Sequence, residues 1–183
     1  MRRTLLLVPL LLLAGCSAGG GGDDEPSGAS PHGGATTPAA TSWNPCDDVE
    51  PEEVGELLGS AVTEEDGEPG AMRCTYLPVE EGGPTLDVNY LWFDGSFAEA
   101  WETIGGDVAG RVRDLEIPTA DAARTVVQVT DDAVLVTGFV QTGGLIESVN
   151  AIVLDPDQRG SLLRATRGLL RLLSERAPER AAG

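Results

Sequence analysis

Residues 125–154 read Thr-Val-Val-Gln-Val-Thr-Asp-Asp-Ala-Val-Leu-Val-Thr-Gly-Phe-Val-Gln-Thr-Gly-Gly-Leu-Ile-Glu-Ser-Val-Asn-Ala-Ile-Val-Leu. Thr125–Thr130, Ala133–Val140 and Leu145–Leu154 are runs of strand length rich in β-branched residues. Asp131-Asp132 separates the first two, and aspartates tolerate the backbone of a tight turn. Gly143-Gly144 separates the second from the third. Strands that follow one another as hairpins, without intervening helices, predict a largely antiparallel sheet in an α+β domain.

Working toward the C-terminus, Asp155 is a helix cap, Pro156 suits the first helical position, and Gln158 reaches back. Leu162, Leu163, Thr166, Leu169, Leu170 and Leu173 then share an arc of about 120°, with Arg164, Arg167 and Arg171 on the far side. Working toward the N-terminus, residues 107–123 read mainly as loop with room for one edge strand. Ser96 and Glu99 form a capping box for a helix bearing Phe97, Trp101 and Ile104 on one face. Thr85–Phe93 alternates, with Leu86, Val88, Tyr90 and Trp92 on one side, and Arg73–Leu77 is a short strand. A helix opens at Pro51 behind Glu50, carries Val54, Leu57 and Leu58 as a stripe, and stops at Gly59. The expected fold is therefore α+β: a largely antiparallel sheet of about five strands with helices packed on one face, after a disordered tether.

Charge and composition exclude several functions. The chain has 183 residues and a formal charge of -18, which opposes a direct grip on nucleic-acid phosphates. No run of 18 apolar residues exists, so a multi-spanning membrane protein is excluded. All twelve cations are Arg. With 24 Gly, this composition suits a GC-rich genome such as that of an actinobacterium. Six of the twelve Arg lie in the last 25 residues, while the region from Asn44 to Glu81 is strongly acidic.

The N-terminus reads as a targeting signal. Arg2 and Arg3 precede an apolar run, Leu5 to Leu13, too short to span a bilayer but suited to secretion. The run ends Leu13-Ala14-Gly15-Cys16, which resembles the lipobox of bacterial lipoproteins. Residues 1–15 are thus expected to be a signal peptide, and Cys16 the lipidated residue that holds the protein to the outer face of the plasma membrane. Residues 16–42 comprise the lipidated Cys and a Gly-, Ser-, Pro- and Thr-rich linker that cannot bury a core. Its reach is roughly 30 Å. His32, the sole histidine, lies in this linker and reads as a bystander. The extracytoplasmic domain spans 43–183.

Cys46 and Cys74 remain, in an oxidising compartment, and such an even pair most simply forms a disulfide. Trp43-Asn44-Pro45-Cys46, Pro51-Glu52-Glu53-Val54, Leu57-Leu58-Gly59 and Arg73-Cys74-Thr75-Tyr76 together resemble a family of small actinobacterial lipoproteins whose secreted domain has no assigned function. In that family an Asn/Asp-Pro-Cys opening is paired with a second Cys in a short motif ending in an aromatic. Those residues are Cys46, Cys74 and Tyr76 here. Glu50 stands where a Thr or Ser usually precedes the helical Pro, and is a weaker cap. The resemblance implies an antiparallel sheet with helices on one side, and brings neither substrate nor catalytic residues.

The expected domain contains no His and the chain no Lys, so Ser-His-Asp, Cys-His and Ser-Lys chemistry lack their bases. Zinc and copper sites lack ligands for the same reason. Glu64-Glu65-Asp66-Gly67-Glu68 is dense in oxygen ligands but lacks the spacing of a calcium loop, and reads as a solvated acidic loop. No catalytic residue, cofactor or metal is expected. The leading expectation is a non-catalytic membrane-anchored lipoprotein that binds an envelope protein, wall polymer or apolar ligand. The alternative is a carrier of a lipid or other apolar molecule in a cavity between sheet and helices, and a third is a hydrolase built on paired carboxylates.

Overall fold

The computed structural model describes residues 44–67, 72–105 and 109–181, with side chains up to Ala177. All lie within the compact unit Pro38–Gly183. The expected signal segment, Cys16, the expected linker to residue 42, Trp43 and Glu68 fall outside the described residues.

A 3-10 turn at Pro45–Asp47 leads into helix α1, Pro51–Leu58. Then come strands β1 (Val62–Asp66), β2 (Arg73–Pro78) and β3 (Thr85–Trp92). Helix α2, Phe97–Ile104, precedes β4 (Arg111–Leu115), β5 (Ala122–Val129), β6 (Val134–Thr142) and β7 (Leu145–Val153). A second 3-10 turn, Pro156–Gln158, feeds helix α3, Arg159–Ala181. The seven strands form one sheet in the order β1-β2-β3-β7-β6-β5-β4, antiparallel at every neighbouring pair.

The α+β architecture and the antiparallel pairing follow the expectation; the strand number does not, being seven instead of about five. The two extra strands are the sheet's edges. β1 contains Glu64-Glu65-Asp66, expected as a loop, and β4 is an edge strand inside the stretch read mainly as loop with room for one edge strand. Four of the five residues in each are exposed, so neither carries the alternation that marks a half-buried strand.

The local signals are realised in the helices. Glu50 N–H donates to the Glu53 carboxylate at the start of α1, and Gly59 closes it at φ 74°. Ser96 and Glu99 bond reciprocally at the start of α2. Asp155 accepts from the Asp157 N–H and from the Gln158 amide before α3. Helix α3 lies along β6 and β7 and buries Leu162, Leu169, Leu170 and Leu173 against Val134, Val136, Val140 and Val149. Each such leucine contributes about 1.5–3 kcal/mol as an upper estimate.

Helix α2 corrects the one-face expectation. Successive strand residues point to opposite faces. A Cβ on Gly138 would meet Leu170 and Thr166 of α3, whereas the Phe139 ring lies 5.4 Å from Trp101 of α2. Helices α1 and α3 therefore cover one face and α2 covers part of the other. An amphipathic stripe says that a helix is buried, not which side of a sheet it takes.

Candidate functional site

The face carrying α1 and α3 is closed chemistry. Cys46 and Cys74 form a disulfide with Cα atoms 5.1 Å apart, joining the first 3-10 turn to β2. Beneath it the Tyr76 hydroxyl donates to the Val49 carbonyl at 2.7 Å, and burial pushes the phenol's pKa well above its ordinary value. The sulfurs of Cys46 and Cys74 and a Glu64 carboxylate oxygen lie within 4.8 Å of one another. The sulfurs are bonded together, so they offer no thiolates to a metal.

The acidic side chains are dispersed by the strand. Glu65 points to the opposite face from Glu64 and Asp66, because alternate residues in β1 point apart. The Glu64 carboxyl is held above its usual range, chiefly by desolvation and then by Glu50, Asp66, Glu52 and Asp47. It sits exposed on an edge strand. Glu147, which no functional reading singled out, is fully buried on the helix-bearing face between Leu145 and Val149, beside Tyr90 and Val140 in register. Its place in the Leu145–Val153 alternation was the available signal.

The C-terminal arginines divide. Arg176 grips Glu53 of α1 through two nitrogens, at 3.0 and 2.7 Å, and also donates to the Asp48 carbonyl. Arg171 pairs with Glu175. Among the described residues Arg159, Arg164 and Arg167 make no ion pair and are exposed. Open grooves flank the helices: one of 390 Å³ between Glu53, Leu57, Gly168 and Leu172, and one of 500 Å³ between the β4–β5 connection and Arg167 and Arg171.

On the opposite face α2 is fastened at one end. The Arg124 guanidinium lies over the rings of Trp101 (4.4 Å) and Phe97 (5.4 Å) and bonds Asp114 at 2.7 Å. Gln141 donates to the carbonyls of Gly95 and Gly143, fixing the turn before α2. Beyond α2 no described helix packs on this face. Register places Thr75, Asp87, Asn150 and Thr137 in one row across β2, β3, β7 and β6, with Asn89 and Ser148 in the next. Ile152, 38% exposed, and Leu91 flank them. The Thr75 hydroxyl donates to Asp87 at 2.6 Å, and Arg73 approaches the same carboxylate at 3.7 Å. These groups offer hydrogen bonds on a flat surface and form no acid–base pair at catalytic spacing.

Fold and surface define a disulfide-stapled antiparallel sheet domain with one helix-packed face and one partly open face. The chain belongs to the family described as "Protein of unknown function (DUF3558)", which matches residues 11–147, a span that includes Cys16, Cys46 and Cys74. No curated protein matches the chain. Among solved structures, a GTP binding regulator from Thermotoga maritima aligns at 12% identity over 73% of this chain and 93% of that one, with a TM-score of 0.32. A likeness at that score carries no argument.

Proposed function

We propose that the chain is a bacterial lipoprotein, anchored at Cys16 to the outer face of the plasma membrane, whose extracytoplasmic domain binds an envelope partner without catalysing a reaction. The observation that carries the binding reading is the partly open sheet face, where Asp87, Asn89, Ser148, Asn150 and Thr137 stand beside Ile152 with no helix over them among the described residues. A mixed flat surface of this kind suits a partner rich in hydroxyls and amides, met through many modest hydrogen bonds. The sheet–α3 interface is filled by Leu162, Leu169, Leu170 and Leu173, which supports binding at the surface over carriage of a lipid inside. The lipobox Leu13-Ala14-Gly15-Cys16 supports the anchor.

The test is a photo-crosslinking amino acid placed at Asn150 and, separately, at Arg164 on the outer face of α3, in cells expressing the full chain. A discrete adduct at Asn150 and none at Arg164 is expected. Adducts at Arg164 alone, or at neither site, overturn the assignment of this face. Cys16→Ser is expected to move the protein from the membrane fraction to the medium; an unchanged membrane fraction refutes the anchor.

A further inference from the structure

The two edges of the sheet carry opposite charge in matching geometry. On the helix-bearing face, β1 presents Val62, Glu64 and Asp66, and β4 presents Arg111, Arg113 and Leu115. Arg111 and Arg113 are exposed and make no ion pair among the described residues, as is true of Glu64 and Asp66. With seven strands, antiparallel at every step, β1 and β4 run in the same direction. A second copy shifted along the sheet therefore sets its β1 parallel to β4 of the first, with the same faces aligned.

The hydrogen-bonding phase agrees. Gly67 N–H donates to the Arg73 carbonyl and Val79 N–H to the Ala61 carbonyl, so odd-numbered residues of β1 bond to β2. The backbone groups of Val62, Glu64 and Asp66 point outward. Following the alternation through Phe93 to Gly144 and Thr130 to Ala133 makes Arg113 and Thr125 a bonded pair, which leaves the groups of Val112 and Asp114 outward on β4. Parallel partners at the same level must have opposite phases, and these do. One register sets Arg111 beside Glu64 and Arg113 beside Asp66, with Val112 beside Glu65 and Gly110 beside Thr63. It places no like charges side by side. Pairing of β1 with β1 sets acid against acid, and pairing of β4 with β4 sets Arg against Arg. Charge protects each edge from itself while leaving the two edges complementary.

We propose that copies of this chain associate head to tail by adding β1 of one copy to β4 of the next, extending the sheet across molecules. Such an interface is heterologous and open, so it builds linear arrays instead of closed dimers. Five-residue parallel edges pair weakly, and arrays are expected only at high local concentration.

The experiment follows the sedimentation of the full chain in detergent across a wide concentration range. The sedimentation coefficient is expected to rise with concentration without a plateau at the dimer, and to fall back with added salt. Arg111→Glu/Arg113→Glu and Glu64→Arg/Asp66→Arg should each weaken association by at least about tenfold, and an equimolar mixture of the two variants should regain it. Val112→Pro removes an outward-pointing amide that β5 does not use, and should abolish association with all charges intact. Thermal melting of each variant confirms that it is folded. A wild-type chain that stays monomeric throughout, or a mixture that fails to recover association, overturns the proposal.

Discussion

Arg176 and Glu53, 123 residues apart in sequence, form a two-bond fork that ties α3 to the first turn of α1. The same arginine reaches the Asp48 carbonyl, so one side chain gathers two N-terminal groups, the Glu53 carboxylate and that carbonyl. The bond from Arg176 lowers the Glu53 pKa against a desolvation effect that raises it, and the Glu50 N–H adds to the lowering. A depressed carboxylate contributes stability above its unfolded value and loses it as pH falls through the folded one. Both side chains are about one third exposed, so the pair is worth about 0.5–1 kcal/mol after screening. Arg176→Ala is therefore expected to lower stability at pH 7 by that amount or somewhat more, with the difference from wild type shrinking below about pH 4. Urea denaturation of both proteins at pH 7 and pH 3 measures it; a difference that grows on acidification contradicts the assignment.

The Cys46–Cys74 bond closes a loop of 28 residues' separation. Chain entropy sets its contribution at about 3–4 kcal/mol, less whatever the unfolded chain retains. Cys46→Ala/Cys74→Ala should lower the urea midpoint strongly while leaving the strand signal in circular dichroism, because β5, β6 and β7 do not depend on the staple. An unchanged midpoint would show that the loop is already held by other contacts.

Tyr76 supplies one of those contacts. Tyr76→Phe leaves the buried Val49 carbonyl without this donor and should cost about 1–3 kcal/mol at neutral pH. The folded phenol pKa is raised, chiefly by desolvation and then by Glu64, Glu50 and Glu53. A raised pKa means stability that is complete below the unfolded value near 10 and is lost as pH climbs beyond it. Wild type should thus weaken between about pH 10 and 11 more steeply than Tyr76→Phe. Parallel slopes in guanidinium denaturation over that range would assign the alkaline loss to other groups.

What the sequence revealed depended on how much each element is buried. The runs around Val127, Val136 and Val149 lie in β5, β6 and β7, where burial forces an apolar pattern and short turns force antiparallel order. Glu64 and Arg113 lie on edges, where solvent accepts any polar residue and the alternation vanishes. The cysteine pair was legible because an even pair in a domain expected to be exported has one simple outcome. The face chosen by Trp101 was not, since its partner Phe139 alternates with Gly138 and either neighbour fits an apolar stripe. The open surface was hidden for a related reason: Asp87, Asn150 and Thr137 come from three strands and become one row only when register is known. Glu147 ran against the usual rule, a carboxylate in a fully buried position, which composition alone does not flag.

Gly138 sets how closely α3 approaches the sheet. A Cβ there would lie 2.7 Å from Leu170 Cδ1 and 3.0 Å from Thr166 Cγ2, both on the buried side of the helix. Interiors at this density do not absorb added methyls freely, and overpacking costs about 1–3 kcal/mol. Gly138→Ala asks the flexible end of Leu170 to shift and the Thr166 methyl to give by a few tenths of an ångström, while the strand gains a residue with fewer unfolded conformations, so its net effect should be smaller than that of a bulkier side chain. Gly138→Val must push α3 off β6 and should lower stability by about 1–3 kcal/mol despite its better strand propensity. Leu170→Ala, fully buried, should cost about 2–5 kcal/mol alone. In that background Gly138→Val fills the vacated space, and the double variant should be more stable than Leu170→Ala. Urea midpoints of the four proteins complete the cycle. Strictly additive losses would mean that residues 138 and 170 do not share the contact on which the helix–sheet spacing rests.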